Sequence, residues 1–175
     1  MYSFLNGKTS LISNSTVGSP SYFSCFKLSD GSLTNAQIID TAGQEKYKSL
    51  NEQYYKKADG CLLVYDIANR ESFEECKNYY IKNIIERCKK NAKIILLGNK
   101  TDLEDQRVVS SEEGANLALK NDYIFLETSC LKNTNVSNAF ETLIEMTNIE
   151  IKASKKEPSI IIKKKKGKNS KKECC

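Results

Sequence analysis

Four short strings carry residue types and spacings suited to phosphate and purine chemistry. The first is DTAGQE, Asp40 to Glu45, directly after an apolar stretch ending in Ile39. A carboxylate such as Asp40 can hold Mg2+ through water, because this small hard ion keeps several waters and takes few protein ligands. Gly43 has no side chain, so its N–H can approach a terminal phosphate closely, and Gln44 beside it can orient an attacking water. The second is GNKTD, Gly98 to Asp102. The Asp102 carboxylate can accept both the ring N–H and the exocyclic amine of guanine, an arrangement adenine does not offer. Asn99 can tie this loop to its neighbours, and the stem of Lys100 can lie over the purine plane. The third is ETSCL, Glu127 to Leu131, where the backbone N–H of Cys130 can bond a guanine carbonyl oxygen and Ser129 can stabilise the loop. The fourth is Gly7-Lys8-Thr9 within FLNGKTSLI, the last three positions of G-x-x-x-x-G-K-[ST]. In that pattern the lysine reaches the β and γ phosphates and the hydroxyl binds Mg2+. The pattern's first glycine falls at Tyr2.

These strings need strands and helices to bring them together. CLLVYD (61–66), KIILLGN (93–99) and YIFLETS (123–129) are short apolar runs ending in polar loops, the mark of strands buried on both faces. Helical spacing fills the gaps. Over 72–88 it puts Phe73, Cys76, Tyr80, Ile84, Ile85 and Cys88 on one face, and Val136, Phe140, Leu143 and Ile144 make a later stripe. Ser110 and Glu113 form a capping box. Alternation of this kind predicts an α/β fold with a mostly parallel sheet covered by helices on both faces. The segment YFSCFKLSDGSLTNAQIID reads as two strands about Asp30-Gly31, a hairpin on that sheet. Ligands of such sheets sit outside the carboxyl ends of the strands, where the four strings fall.

The chain has 175 residues, 39% hydrophobic and 28% charged, which suits one globular domain and a tail. Its net charge of +5 is unevenly spread: ten lysines against two glutamates lie from Ile151 onward, which leaves the first 150 residues mildly acidic. A body of that sign gives no reason to expect nucleic-acid binding. The division expected is a domain over 1–150 and a disordered basic tail over 151–175, since clustered lysines repel one another. An apolar island, Ser159 to Ile162, interrupts the tail without an assigned role. No apolar run approaches a membrane span, and no basic start followed by an apolar stretch marks a signal peptide. Seven cysteines and no histidine are present. Cys25, Cys61, Cys76, Cys88 and Cys130 are scattered without a C-x-x-C pair, so reduced, buried thiols are expected.

The motifs resemble those of the Ras-superfamily small GTPases, and within them the Rab branch. The stretch DTAGQEKYKSLNEQYYKKADGCLLVYDIANRESFE is similar to the Rab segment around the second switch, and the resemblance runs from about Asp30 to Asn148. It implies the P-loop GTPase fold and a GTP/GDP-binding switch in vesicle-mediated and intracellular protein transport, hydrolysing GTP slowly. Asp40, Gly43 and Gln44 would take the Mg2+, γ-phosphate and water roles, with Gly7, Lys8 and Thr9 at the phosphates. Asn99, Lys100, Asp102, Ser129 and Cys130 would take the guanine roles. Thr9, Asp40 and, through a gapped alignment, Thr16 would serve the metal. The terminal Cys174-Cys175 pair resembles the Rab prenylation motif and implies double geranylgeranylation by a transferase working with an escort protein. Two lipid chains, or one with basic residues, anchor stably. The implied place is the cytoplasmic face of an intracellular membrane, in exchange with the cytosol. Effectors, exchange factors and GTPase-activating proteins are the implied partners.

Departures concentrate before Asp30. Tyr2 to Leu5 can form the first strand or the phosphate loop but not both, and only 13 residues separate Lys8 from Tyr22, too few for a helix and a returning switch loop. A direct link is long enough, but it sacrifices most of the helix and uncovers part of one sheet face. The first strand and helix are therefore expected to be shortened or incomplete. Two readings stand: a Rab lacking pieces on either side of NGKT, or a divergent, prenylated pseudo-GTPase that recruits partners with weak nucleotide binding. Leu131 stands where many relatives have lysine. Ile39 stands where the family usually places an effector-contacting tryptophan, while Tyr54 keeps its aromatic partner's place; two readings of this are a different effector set and an isoleucine that merely fills a strand position.

Overall fold

The computed structural model describes residues 21–41 and 54–156, with Lys155 and Lys156 as backbone only. Gly7, Lys8, Thr9, Thr16, Gly43, Gln44, Cys174 and Cys175 lie outside the described residues, as do the first strand and helix expected to be shortened.

Three parallel strands, β3 (Gly60–Asp66), β4 (Lys93–Asn99) and β5 (Ile124–Thr128), pair in the order β3-β4-β5. β4 is central and buried from Ile94 to Gly98, which is why it reads as an unbroken apolar run. The chain passes from β3 to β4 through α1 (Arg70–Glu75), a π-helical turn (Cys76–Tyr80) and α2 (Ile81–Arg87). It passes from β4 to β5 through a 3-10 segment (Thr101–Gln106) and α3 (Ser111–Lys120), then ends in α4 (Val136–Lys156). The Asn69 side chain caps α1 by accepting the Ser72 N–H at 3.2 Å. The capping box of α3 forms as expected, with Ser110 and Glu113 bonding each other's N–H groups at 3.1 and 3.0 Å.

The two faces of the parallel sheet are covered by different helices. Leu63, Tyr65, Ile94 and Leu96 pack with Phe73, Cys76, Ile81, Ile84 and Ala118. On the other face Ile95, Leu97, Leu62 and Leu126 meet Ala139, Leu143 and Met146 of α4. Coverage of that second face is partial: Val64, mid-strand, stays 49% exposed. Gly114 of α3 has no room for a side chain, because a Cβ there would lie 2.4 Å from the Tyr65 hydroxyl and 2.6 Å from the Phe125 ring. The Tyr65 hydroxyl is buried and has no hydrogen-bond partner among the described residues.

β1 (Ser21–Lys27) and β2 (Leu33–Ile39) form an antiparallel hairpin, in register from Ser21 opposite Ile39 to Lys27 opposite Leu33. Gly31 turns the chain at φ 81°, where other residues are strained. The Ser32 hydroxyl and N–H both donate to Asp30, at 2.5 and 2.9 Å, and with Lys152 they hold this carboxyl well below its usual range. Among the described residues the hairpin forms its own sheet rather than extending the parallel one. Among the described residues, α4 packs on the hairpin and ties it to the body. Tyr22, Phe26, Ala36 and Ile38 pack on Val136, Phe140 and Ile144. The Ser29 N–H donates to Glu145, and Lys152 Nζ donates to Asp30 Oδ2 at 3.0 Å.

Two further expectations are corrected. The helical face over 72–88 excludes Ile85, which is 66% exposed, and includes Ile81 at 4%. The π turn adds a residue to the helical repeat and rotates the helix beyond it. α4 runs past residue 150, to Lys156. Lysine and alanine are good helix formers, and lysines suit a helix C-terminus. The thiols are not all buried: Cys76 is, Cys61 and Cys88 are partly so, and Cys25 and Cys130 are exposed. Burial pushes the Cys61 and Cys76 thiols up to about 12, so both stay protonated. No helix among the described residues is long and apolar enough to cross a membrane.

Candidate functional site

Strand register assembles the site. Asp66 at the end of β3 faces Asn99 at the end of β4, and Asn99 faces Thr128 at the end of β5. Three polar residues therefore stand in a row along the carboxyl edge, with Lys100–Asp102 and Ser129–Cys130 in the loops that follow. Asn99 Oδ1 accepts the Thr128 hydroxyl at 3.1 Å and lies 3.7 Å from the Cys130 thiol, a weak donor. The Thr101 hydroxyl donates to the Thr128 carbonyl at 3.3 Å, closing one loop onto the other.

Asp102 is held from the neighbouring loop. Ser129 is 0% exposed, and its hydroxyl donates to Asp102 Oδ1 at 2.5 Å while accepting the Lys132 N–H at 3.0 Å. The Ser129 backbone exchanges hydrogen bonds with Thr134 at 3.1 and 2.9 Å, which fixes the loop carrying that hydroxyl. One carboxylate oxygen is thus oriented by the protein, while the partly exposed group can still meet a ligand edge. Lys100 takes a left-handed backbone, φ 70°, and its Nζ forms an ion pair with Asp66 Oδ2 at 2.6 Å. The hydrogen bond to Asp66 raises the Lys100 ammonium above its ordinary value, so it stays charged.

Arg107 clamps the site from behind. Its guanidinium bonds Glu104 at 2.7 Å, Glu127 at 2.7 Å and the Val109 carbonyl at 3.1 Å. Glu104 first, then Glu127, raise the guanidinium further. The 3-10 segment that carries Asp102 is thereby tied to the strand that delivers Ser129.

Asn99, Lys100, Asp102, Ser129 and Cys130 are brought into one cluster. Asp40 is exposed at the carboxyl end of β2, on the separate hairpin. Leu131 is 83% exposed beside the cluster. Sequence reasoning missed Asp66, Thr128 and Arg107. Asp66 and Thr128 follow from register alone; the third from a fold-dependent pairing 20 residues apart in sequence. The donor chemistry fits the expected ligands. An oriented carboxylate suits paired N–H donors, and a single hard, exposed oxygen donor at Asp40 suits Mg2+.

Comparison with known proteins agrees with this architecture. Residues 1–149 match the Ras family. The chain is 42% identical over 153 residues to Ras-related protein RABA4b of Arabidopsis thaliana, covering 87% of this chain and 66% of that protein. It is 45% identical over 127 residues to Ras-related protein Rab-8A of Bos taurus, covering 73% and 60%. It is 40% identical over 162 residues to GTP-binding protein Rab-3D of Rattus norvegicus, covering 79% and 73%. The chain thus spans just under two thirds of the length of the first two of these relatives. A parallel sheet clothed on both faces, with its polar loops at the carboxyl ends, and a family match over most of its length place the chain in the Rab branch of the Ras family.

Proposed function

We propose that this chain is a Rab-type guanine-nucleotide switch in membrane trafficking that binds GTP and GDP and hydrolyses GTP slowly. The observation that supports the reading best is the Ser129–Asp102 hydrogen bond, which aims a carboxylate outward at the carboxyl ends of β4 and β5. Asp102 then selects guanine by accepting from the two adjacent N–H donors of the base, the stem of Lys100 supports the ring, and the Cys130 N–H donates to the carbonyl oxygen. Asn99 holds both loops together through Thr128. Gly7, Lys8 and Gly43 receive the phosphates by their N–H groups and ammonium, and Gln44 orients the attacking water. Thr9, Asp40 and Thr16 would hold Mg2+, whose contribution is neutralisation of phosphate charge. Activating and exchange proteins supply the speed that the chain lacks. Residues 1–150 act as the switch domain. The basic tail and prenylated Cys174 and Cys175, modified with the help of an escort protein, hold it on the cytoplasmic face of an intracellular membrane, where effectors are recruited. Among the described residues nothing favours the pseudo-GTPase alternative.

Titration of the full chain with a fluorescent GDP analogue, with and without Mg2+, tests this reading. Micromolar or tighter, Mg2+-dependent binding is expected. Asp102→Asn should move the preference from guanine toward xanthine nucleotides. A wild type that binds while the variant keeps its base preference would overturn the assignment of Asp102.

A further inference from the structure

We propose that Asp66, which lies outside all four motifs, is the positioning residue for the Lys100 stem and thereby sets how long a purine stays bound. The inference rests on reading the β4–β5 end as a guanine-nucleotide site. The Asp66 carboxylate is itself oriented by its own loop. Its Oδ1 accepts the Ala68 N–H at 2.9 Å, and its backbone N–H bonds the Ser72 hydroxyl at 3.0 Å. That leaves Oδ2 facing the next strand, where it takes Lys100 Nζ at 2.6 Å.

The other end of the lysine is fixed as firmly. Lys100 sits at φ 70°, ψ 40°, a left-handed conformation uncommon for this residue type. The Leu103 N–H bonds its carbonyl at 2.8 Å, and the Ile67 N–H bonds the Asn99 carbonyl just before it at 3.0 Å. With Cα and ammonium both held, the methylene stem is strung between the ends of β4 and β3, beside Asp102. A free lysine stem loses many rotamers when a ring is laid on it, whereas a tethered stem has lost them beforehand. The pair is half-exposed on the lysine side, so it adds little to fold stability. Its effect belongs to ligand residence.

Release of a fluorescent GDP analogue from the full chain tests the assignment. Asp66→Asn keeps the acceptor for Ala68 and removes the ion pair. It should speed release about three- to tenfold while leaving the melting temperature nearly unchanged. Asp66→Glu should recover part of the loss. Lys100→Met keeps an apolar stem without the charge, and Asp66→Asn should add nothing in that background. A variant that releases at the wild-type rate, or an Asp66→Asn effect that persists beside Lys100→Met, overturns the assignment of Asp66 and leaves the nucleotide reading standing. A wild type that binds no GDP analogue overturns both.

Discussion

Removing the Ser129 hydroxyl probes the fold and the site together. Ser129→Ala deletes two hydrogen bonds that meet at a fully buried oxygen, one to Asp102 and one from the Lys132 N–H. A bond to a charged group contributes about 1.5–3 kcal/mol and a neutral one about 1 kcal/mol. Both partners reach water once the hydroxyl is gone, which returns part of the sum, so a net loss of about 1–2 kcal/mol is expected. For a chain of this size that lowers the melting temperature by about 2–8 °C. Asp102 also loses its orientation, which should weaken guanine-nucleotide binding by about fivefold, near 1 kcal/mol. Thermal unfolding and GDP-analogue titration of the same preparation read the two effects. An unchanged melting temperature would refute the account of the two bonds. A lowered one with unchanged affinity would show that Asp102 needs no help from Ser129.

Tyr65→Phe removes a buried hydroxyl that lacks a partner among the described residues, so it should be neutral or stabilising by up to about 1 kcal/mol in chemical denaturation; a clear loss would reveal a partner for that oxygen. Gly114→Ala forces a methyl group against the Tyr65 hydroxyl and Phe125 and should cost about 1–3 kcal/mol, less when combined with Tyr65→Phe. Glu113 is held at about 2 by hydrogen bonds from Arg70 and the Ser110 N–H, below its ordinary 4.5. Between those values the unfolded chain binds the proton first, so its contribution is full above pH 4.5 and fades as pH falls through 2. Glu113→Gln should flatten that part of the stability profile, and an unaltered acid limb would count against the Arg70 contact. Replacing Cys174 and Cys175 with serine should shift the protein from membrane to cytosol on fractionation, and persistent membrane binding would sink the anchor.

Strands buried on both faces were the most legible elements. β4 spans Lys93–Asn99, the bounds of its apolar run, because α4 and the α1–α2 arm cover it from opposite sides. β5 is shorter than its run at both ends. Tyr123 spends its N–H on the Ala118 carbonyl, and Ser129 bridges to Thr134. The π turn at Cys76–Tyr80 left no trace in apolar spacing, since Phe73, Cys76 and Ile84 suit either helical phase, and only the exchange of Ile85 for Ile81 betrays it. At the site, Asn99, Asp102 and Ser129 could be found because each ends a strand or follows one closely. Asp66, Thr128 and Arg107 could not, because their roles arise across strands and between loops that are remote in sequence.

The attachment of the hairpin to α4 also dictates an order of events during synthesis. Ser29 meets a partner 116 residues later and Asp30 one 122 residues later. At cellular translation rates that interval is about 6–23 s. Throughout it, Tyr22, Phe26 and Ile38 await the helix that covers them. Those side chains therefore lack their contacts with α4 until Val136 to Ile144 have been made. The clasp between hairpin and α4 is a long-range contact, the class of contact that slows folding, and it joins the early part of the described fold to its final element.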